Sequence, residues 1–223
     1  MRKLILDTET TGLDYSNDRI IELACLEIVD NEYTERKFHQ YYNSDGVIIS
    51  EQSEEIHGLS NSFLRKFNSF DDSLEEFIEF IGDAELVIHN AQFDISMINN
   101  ALKRKNKTEI SMDRVLCTLE MAKKKFPGSK NNLNALCRRF DISLESREKH
   151  GALTDCFLLL RVFIELLGGK QEKLTFSEKP KSIETSKDVN YQSRENILIS
   201  VSEKEISDHK NMLTKITNPI WNQ

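Results

Sequence analysis

The chain begins with a short aliphatic run that ends in acids. Residues 3–8, Lys-Leu-Ile-Leu-Asp-Thr, predict a buried strand. A second apolar run, Ile20–Val29, is nearly continuous, and a third over 33–43 alternates apolar and polar positions; each predicts a strand. Asp30-Asn31 leaves room for only a tight turn between the second and third. Connections this short cannot carry a crossover, so the three strands predict an antiparallel meander.

The pattern changes after Ser50. Glu54 to Leu59 predicts a turn at Gly58, and Ser60 or Asn61 starts a short helix. Asp71-Asp72-Ser73 offers N-cap residues to a helix through Ile81, with Leu74, Phe77, Ile78 and Ile81 on one stripe and Gly82 as its stop. Leu86-Val87-Ile88 then predicts a short strand. A helix between it and the meander predicts that it adds parallel beside the first strand. Helices follow over 93–105, 119–126, 131–140 and 151–167, with a short strand at 114–118 between the first two. The last helix is closed by Gly168-Gly169.

Beyond Gly169 the composition shifts. Residues 170–196 are rich in Lys, Glu and Ser and predict a flexible linker. Ile197 to Val201 is strand-like, Ser202-Glu203-Lys204-Glu205 fits a capping box, and Ile206, Leu213 and Ile216 form a helical stripe. A segment of this length cannot bury its own apolar face, which predicts docking on a partner. The organisation expected is thus a folded domain at 1–169, a linker at 170–196 and a docking tail at 197–223.

Composition narrows the class. The 223 residues are 39% hydrophobic and 30% charged, as for a globular protein with a substantial core. A net charge of −7 argues against a broad basic face gripping long nucleic acid, though not against a local site for a few nucleotides. The four cysteines, Cys25, Cys117, Cys137 and Cys156, have no Cys-x-x-Cys spacing and sit in apolar runs, which predicts reduced buried thiols in a cytoplasmic protein. Neither a signal peptide nor an apolar run near the ~20 residues of a membrane span is expected.

The candidate chemistry is acidic. Asp7 and Glu9 alternate with Thr8, so both project from one side of the first strand. Taken alone, the pair fits two solvated surface acids as well as it fits half of a cation site. Asp94 follows the strand at 86–88 and sits at a helix start, where a helix-dipole role is an equal explanation. Asp155 is more telling. It lies in a helix among Ala152, Leu153, Cys156 and Phe157, where a carboxylate is costly unless paired or bound to a metal. Four carboxylates suit a hard cation such as Mg²⁺ or Mn²⁺ rather than zinc. Two such ions ~4 Å apart would stabilise both oxygens of a phosphodiester displacement, and His150, ahead of Asp155, is a candidate general base.

The order Asp-x-Glu, Asp, His-x4-Asp resembles the histidine branch of the DEDD superfamily of 3′→5′ exonucleases. Leu6 to Gly12, Ile56 to Leu59, Leu86 to Asp94, Lys123 to Gly128, Leu133 to Phe140 and His150 to Asp155 are together similar to the epsilon family of proofreading exonucleases that serve bacterial DNA polymerase III. The resemblance implies an α/β, ribonuclease-H-like fold, a mixed five-stranded sheet flanked by helices. It implies two divalent cations held by Asp7, Glu9, Asp94 and Asp155, with Asp7 between them, and His150 taking a proton from the attacking water. Thr10, Thr11, Gly12, His57, Asn90 and Phe93 match positions lining the pocket for the 3′-terminal nucleotide of DNA, and Gln52 falls at a further position expected to touch it. Two residues depart from the family pattern: Gln52 stands where an acid is expected, and Cys117-Thr118 where many relatives carry Asp-Thr.

Two partners are implied for the tail. Gln171, Leu174 and Phe176 have the spacing of a sliding-clamp-binding peptide, a short pattern that ordinary linker also produces by chance. Ile199, Ile206, Leu213 and Trp221 are the apolar anchors expected toward the polymerase catalytic subunit. Two alternatives stay open at this level: a ribonuclease of the same branch trimming RNA 3′ ends, and a non-catalytic tether between polymerase and clamp.

Overall fold

The computed structural model describes residues 1–145, 147, 149–169 and 201–216. The chain divides into two units, Met1–Leu174 and Thr175–Gln223. In the first, strand β1 (Arg2–Thr10) pairs antiparallel with β2 (Ile20–Val29), which pairs antiparallel with β3 (Glu32–Tyr41). Asp30 and Asn31 both take positive φ, 52° and 69°, the left-handed pair that a two-residue hairpin turn requires. The expected meander is therefore present.

The connection from β3 carries helices α1 (Glu51–His57), α2 (Asn61–Leu64) and α3 (Leu74–Ile81) to strand β4 (Glu85–Ile88). β4 lies parallel to β1, with Leu6 opposite Ile88. Helix α4 (Ala91–Arg104) leads to strand β5 (Val115–Cys117), parallel to β4. Helices α5 (Thr118–Lys125), α6 (Leu133–Arg139) and α7 (Ala152–Leu167) complete the unit. The sheet order is β3-β2-β1-β4-β5, the mixed five-stranded sheet expected.

Strand alternation sorts the core into two layers. Leu4, Leu6, Leu23, Cys25, Leu86 and Ile88 pack with the apolar stripes of α3 and α4. Ile5, Ala24, Leu26 and Val87 pack with α5, α6 and α7. Leu4, Ile5 and Leu6 are wholly buried, each worth about 1.5–3 kcal/mol over exposure, which is why β1 sits mid-sheet.

Two boundaries differ from expectation in ways that matter for function. β1 runs on to Thr10, so Asp7 and Glu9 lie within the paired strand, opposite Ala24 and Glu22. A helix, α1, forms where only a turn was expected. The Ser50 side chain accepts from Ser53 N–H at its start, and Gly58 ends it with φ 75°.

In the second unit, helix α8 (Glu203–Leu213) carries the expected capping box between Ser202 and Glu205. None of its residues is buried; Ile206 is exposed and Leu213 partly so. Gln171, Leu174, Phe176, Ile199 and Trp221 lie outside the described residues. The four cysteines are free, three of them buried. Among the described residues no helix is long and apolar enough to cross a membrane.

Candidate active site

Three elements bring the acids together. Asp7 and Glu9 share the face of β1 that carries Ile5, toward α7. Helix α7 presses close to the sheet because small residues face it. Ala152 and Cys156 are wholly buried, and Cys156 Sγ lies 3.3 Å from the Ala24 carbonyl and 3.6 Å from that of Ile5. This close seat delivers the next-door Asp155, 4% exposed, to the sheet face. Asp94 comes from the other layer. Asn90 takes a left-handed conformation (φ 63°) after β4, α4 starts, and Asp94 falls in its first turn. Thr8, pointing opposite to Asp7 and Glu9, donates to Asp94 Oδ1 at 2.6 Å and ties that acid to β1.

His150 stands in the loop before α7. Its backbone N–H donates to the Ile56 carbonyl at 3.1 Å, fastening the loop to α1. The neighbouring Lys149 side chain lies over Gly58, where a Cβ would come within 2.6 Å of it. His150 Nδ1 is 3.6 Å from Asp155 Oδ2. Single ligand atoms of Glu9, His150 and Asp155 all lie within 4.8 Å of one another. Asp7 and Asp94 fall outside that tightest group but within its field.

The electrostatics show a cluster short of positive charge. Burial, then Asp94, Glu9 and Asp155, hold the Asp7 carboxyl well above the usual range. Glu9 is pushed to about 8 by burial, then by Asp155, Glu22 and Asp94. Asp94 rises to about 7 through burial, opposed by its Thr8 bond. The His150 imidazole is held below its ordinary range by burial and by Arg147, against the pull of Asp155.

Two further residues, carried by no motif, belong here. Glu22, 3% exposed, stands opposite Glu9 and is bonded to His39 Nε2 at 2.7 Å. Its signal was available as a carboxylate inside the apolar run of β2. Arg147 donates from Nε to Asp155 Oδ1 at 2.6 Å and from Nη2 to Asp155 Oδ2. No local pattern marked it.

The residues expected in a nucleotide pocket come from the end of β1, from α1 and from the start of α4. Thr10 and Thr11 are buried; Thr10 Oγ1 donates to the Gly12 carbonyl and Thr11 Oγ1 to Asp18 Oδ1, each at 2.6 Å. A Cβ at Gly12 would lie 2.5 Å from the Asp18 carboxylate, so a side chain there would force Asp18 away. Ser50 N–H donates to the Thr11 carbonyl, which joins this turn to α1. His57, at the end of α1, is buried and accepts from Leu59 N–H at Nδ1. Gln52 and Asn90 are exposed and Phe93 half-buried.

The chain is similar to known proteins along most of its length. The exonuclease family matches residues 4–163. A DNA polymerase III subunit epsilon of Rickettsia conorii is 39% identical, over 97% of this chain and 96% of its own length. One from Salmonella typhimurium is 34% identical over 95% and 92%. Among solved structures, exonuclease X in complex with 5′ overhanging duplex DNA is 25% identical with a TM-score of 0.56, covering 74% of this chain and 90% of its own. Cell-death related nuclease 4, at 18% identity and TM-score 0.62, shares the fold over 76% and 65%. An acid-lined site at the end of a central strand, in a domain matched from end to end and joined to a tail that the relatives also match, places the chain in the exonuclease family, among the epsilon subunits of DNA polymerase III.

Proposed function

We propose that this chain removes nucleotides from the 3′ end of DNA as the proofreading exonuclease of its polymerase, through a site built on Asp7, Glu9, Asp94, Asp155 and His150. The observation that carries the reading is the meeting of Glu9, His150 and Asp155 ligand atoms within 4.8 Å, beside Asp7 and Asp94. The relatives match the tail as well as the nuclease domain, which supports a polymerase-associated enzyme over a stand-alone ribonuclease.

The donor set fits hard divalent cations. Asp7, Glu9, Asp94 and Asp155 offer carboxylate oxygens, and three of them have raised pKa values, through burial first and, for Asp7 and Glu9, through the neighbouring acids. These four residues would hold two cations, Mg²⁺ or Mn²⁺. When bound, such ions supply positive charge to the attacking and leaving oxygens of the phosphodiester. His150, its imidazole held below the ordinary range by burial and Arg147 and 44% exposed, accepts the proton of the attacking water. Thr10, Thr11, Gly12, Gln52, His57, Asn90 and Phe93 hold the terminal nucleotide, with α1 and the loop of His150 joined so that pocket and base keep their spacing. The domain ends near Gly169. The linker offers Gln171, Leu174 and Phe176 to the sliding clamp, and Ile199, Ile206, Leu213 and Trp221 anchor the tail on the polymerase catalytic subunit.

The test is digestion of a single-stranded DNA oligonucleotide carrying distinct labels at its two ends. Mg²⁺-dependent release of mononucleotides from the 3′ end alone is expected, with a large loss in Asp155→Asn. Release from the 5′ end, or full activity in EDTA, would overturn the reading.

A further inference from the structure

The guanidinium of Arg147 sits inside the acidic cluster. Its side chain and that of Asp155 are each 5% exposed. Besides its forked pair with Asp155, Nη1 donates to Asn134 Oδ1 of α6, and Nη2 reaches His150 Nδ1 at 3.0 Å. The fork engages both oxygens of Asp155. Those are the oxygens a hard cation would take from that residue. A guanidinium donates and never accepts, so His150 Nδ1 is the acceptor and the neutral ring carries its proton on Nε2. Neither ring nitrogen then has a lone pair open to water, which a general base requires. One arginine thus occupies two of the groups the reaction needs, Asp155 and His150.

We propose that Arg147 is an internal counter-cation of the ion-free protein, and that it leaves Asp155 and His150 when a divalent cation loads, so that loading and unmasking of the base are one event. The proposal rests on the divalent-cation reading above. Its physical basis is competition. Buried carboxylates without a counter-charge are costly, and Arg147 opposes the raised pKa values of both Asp7 and Glu9. A divalent ion on the same acids repels the guanidinium across the same short distance. Departure does not require the base to move. The backbone of His150 is fixed to Ile56 and Lys149 is packed on Gly58, while Arg147 is a long side chain with several rotatable bonds.

The experiment compares the full chain with Arg147→Gln in two measurements. Calorimetric titration of Mn²⁺, without nucleotide, reads whether the arginine competes. Removal of the competitor should tighten binding by about tenfold, the gain expected when the competent state was a minor one. Nitrogen-proton spectra read where the arginine is. The Arg147 Nε–H signal, assigned by its absence in the variant, should be shifted and slow to exchange in EDTA and lose both properties at saturating Mg²⁺. The His150 Nδ1 signal should move in the same titration. Equal or weaker Mn²⁺ binding by the variant, or an Arg147 signal unchanged by saturating Mg²⁺, would overturn the exchange. If Arg147→Gln does not fold, the wild-type Nε–H signal, followed across the Mg²⁺ titration with Arg147→Lys to assign it, decides alone. Failure of folded wild type to bind either ion would overturn the divalent-cation reading itself, and this proposal with it.

Discussion

His150 is the residue whose removal should separate catalysis from binding. It lies at the edge of the acid cluster, 44% exposed, where it meets both water and the Asp155 side of the site. His150→Ala should lower the single-turnover rate at pH 7 by about 10²–10⁴-fold, the usual contribution of a general base. Affinity for a single-stranded oligonucleotide, measured by fluorescence anisotropy in Ca²⁺, should change little. A loss of binding as large as the loss of rate would make His150 a structural prop instead. At this scale the chain was partly legible. Asp155 announced itself as a charge in an apolar helix, and Asp7 and Glu9 as acids ending an apolar run. Arg147 did not, because Glu145-Ser146-Arg147-Glu148-Lys149 reads as a solvated charged loop. Its burial depends on the loop folding back on an acid eight residues later, and no periodicity encodes that.

Helix α7 is the element that sets the depth of the site. Cys156 is wholly buried between this helix and the backbones of β1 and β2, its Sγ 3.3 Å from the Ala24 carbonyl and 3.6 Å from that of Ile5. Cys156→Leu should overpack that contact, cost about 1–3 kcal/mol in urea denaturation, and lower exonuclease activity by displacing Asp155. Unchanged stability with full activity would show that the helix has slack. The helix and the sheet were readable because their apolar residues repeat with clear periods, which also gave the meander and the parallel β4. Helix α1 was not. Glu51-Gln52-Ser53-Glu54-Glu55-Ile56-His57 buries only His57, so it has no apolar stripe, and only its caps at Ser50 and Gly58 mark it. It holds the Thr11 turn and the His150 loop through backbone hydrogen bonds rather than filling the core.

For the whole molecule, the raised carboxyl groups predict how stability follows pH. In EDTA the folded protein keeps protons on Asp7, on Glu9 up to about 8 and on Asp94 up to about 7, while an unfolded chain loses them near 4 to 5. The folded state therefore binds more protons across that window, and its stability falls as pH rises from about 5 to 8. Divalent cations should reverse the trend: at about 100 times their dissociation constant they add ~2.7 kcal/mol, a rise in Tm of ~5–10 °C at pH 8. A melting temperature that climbs from pH 5 to 8 in EDTA would contradict the charge-starved site. The division into two units gives a second prediction at this scale. A chain ending at Gly169 should keep its exonuclease rate and lose binding to the polymerase catalytic subunit by surface plasmon resonance; full binding would place the contact in the first unit. The converging acids are proposed to work as a cation-dependent 3′ exonuclease. The most direct measurement of that function is single-turnover digestion of a primer–template with a mismatched 3′ end, with Mg²⁺ and with EDTA, for wild type and Asp7→Ala. Release of the mismatched nucleotide by wild type in Mg²⁺ alone is expected; equal release in EDTA, or by Asp7→Ala, would rule that function out.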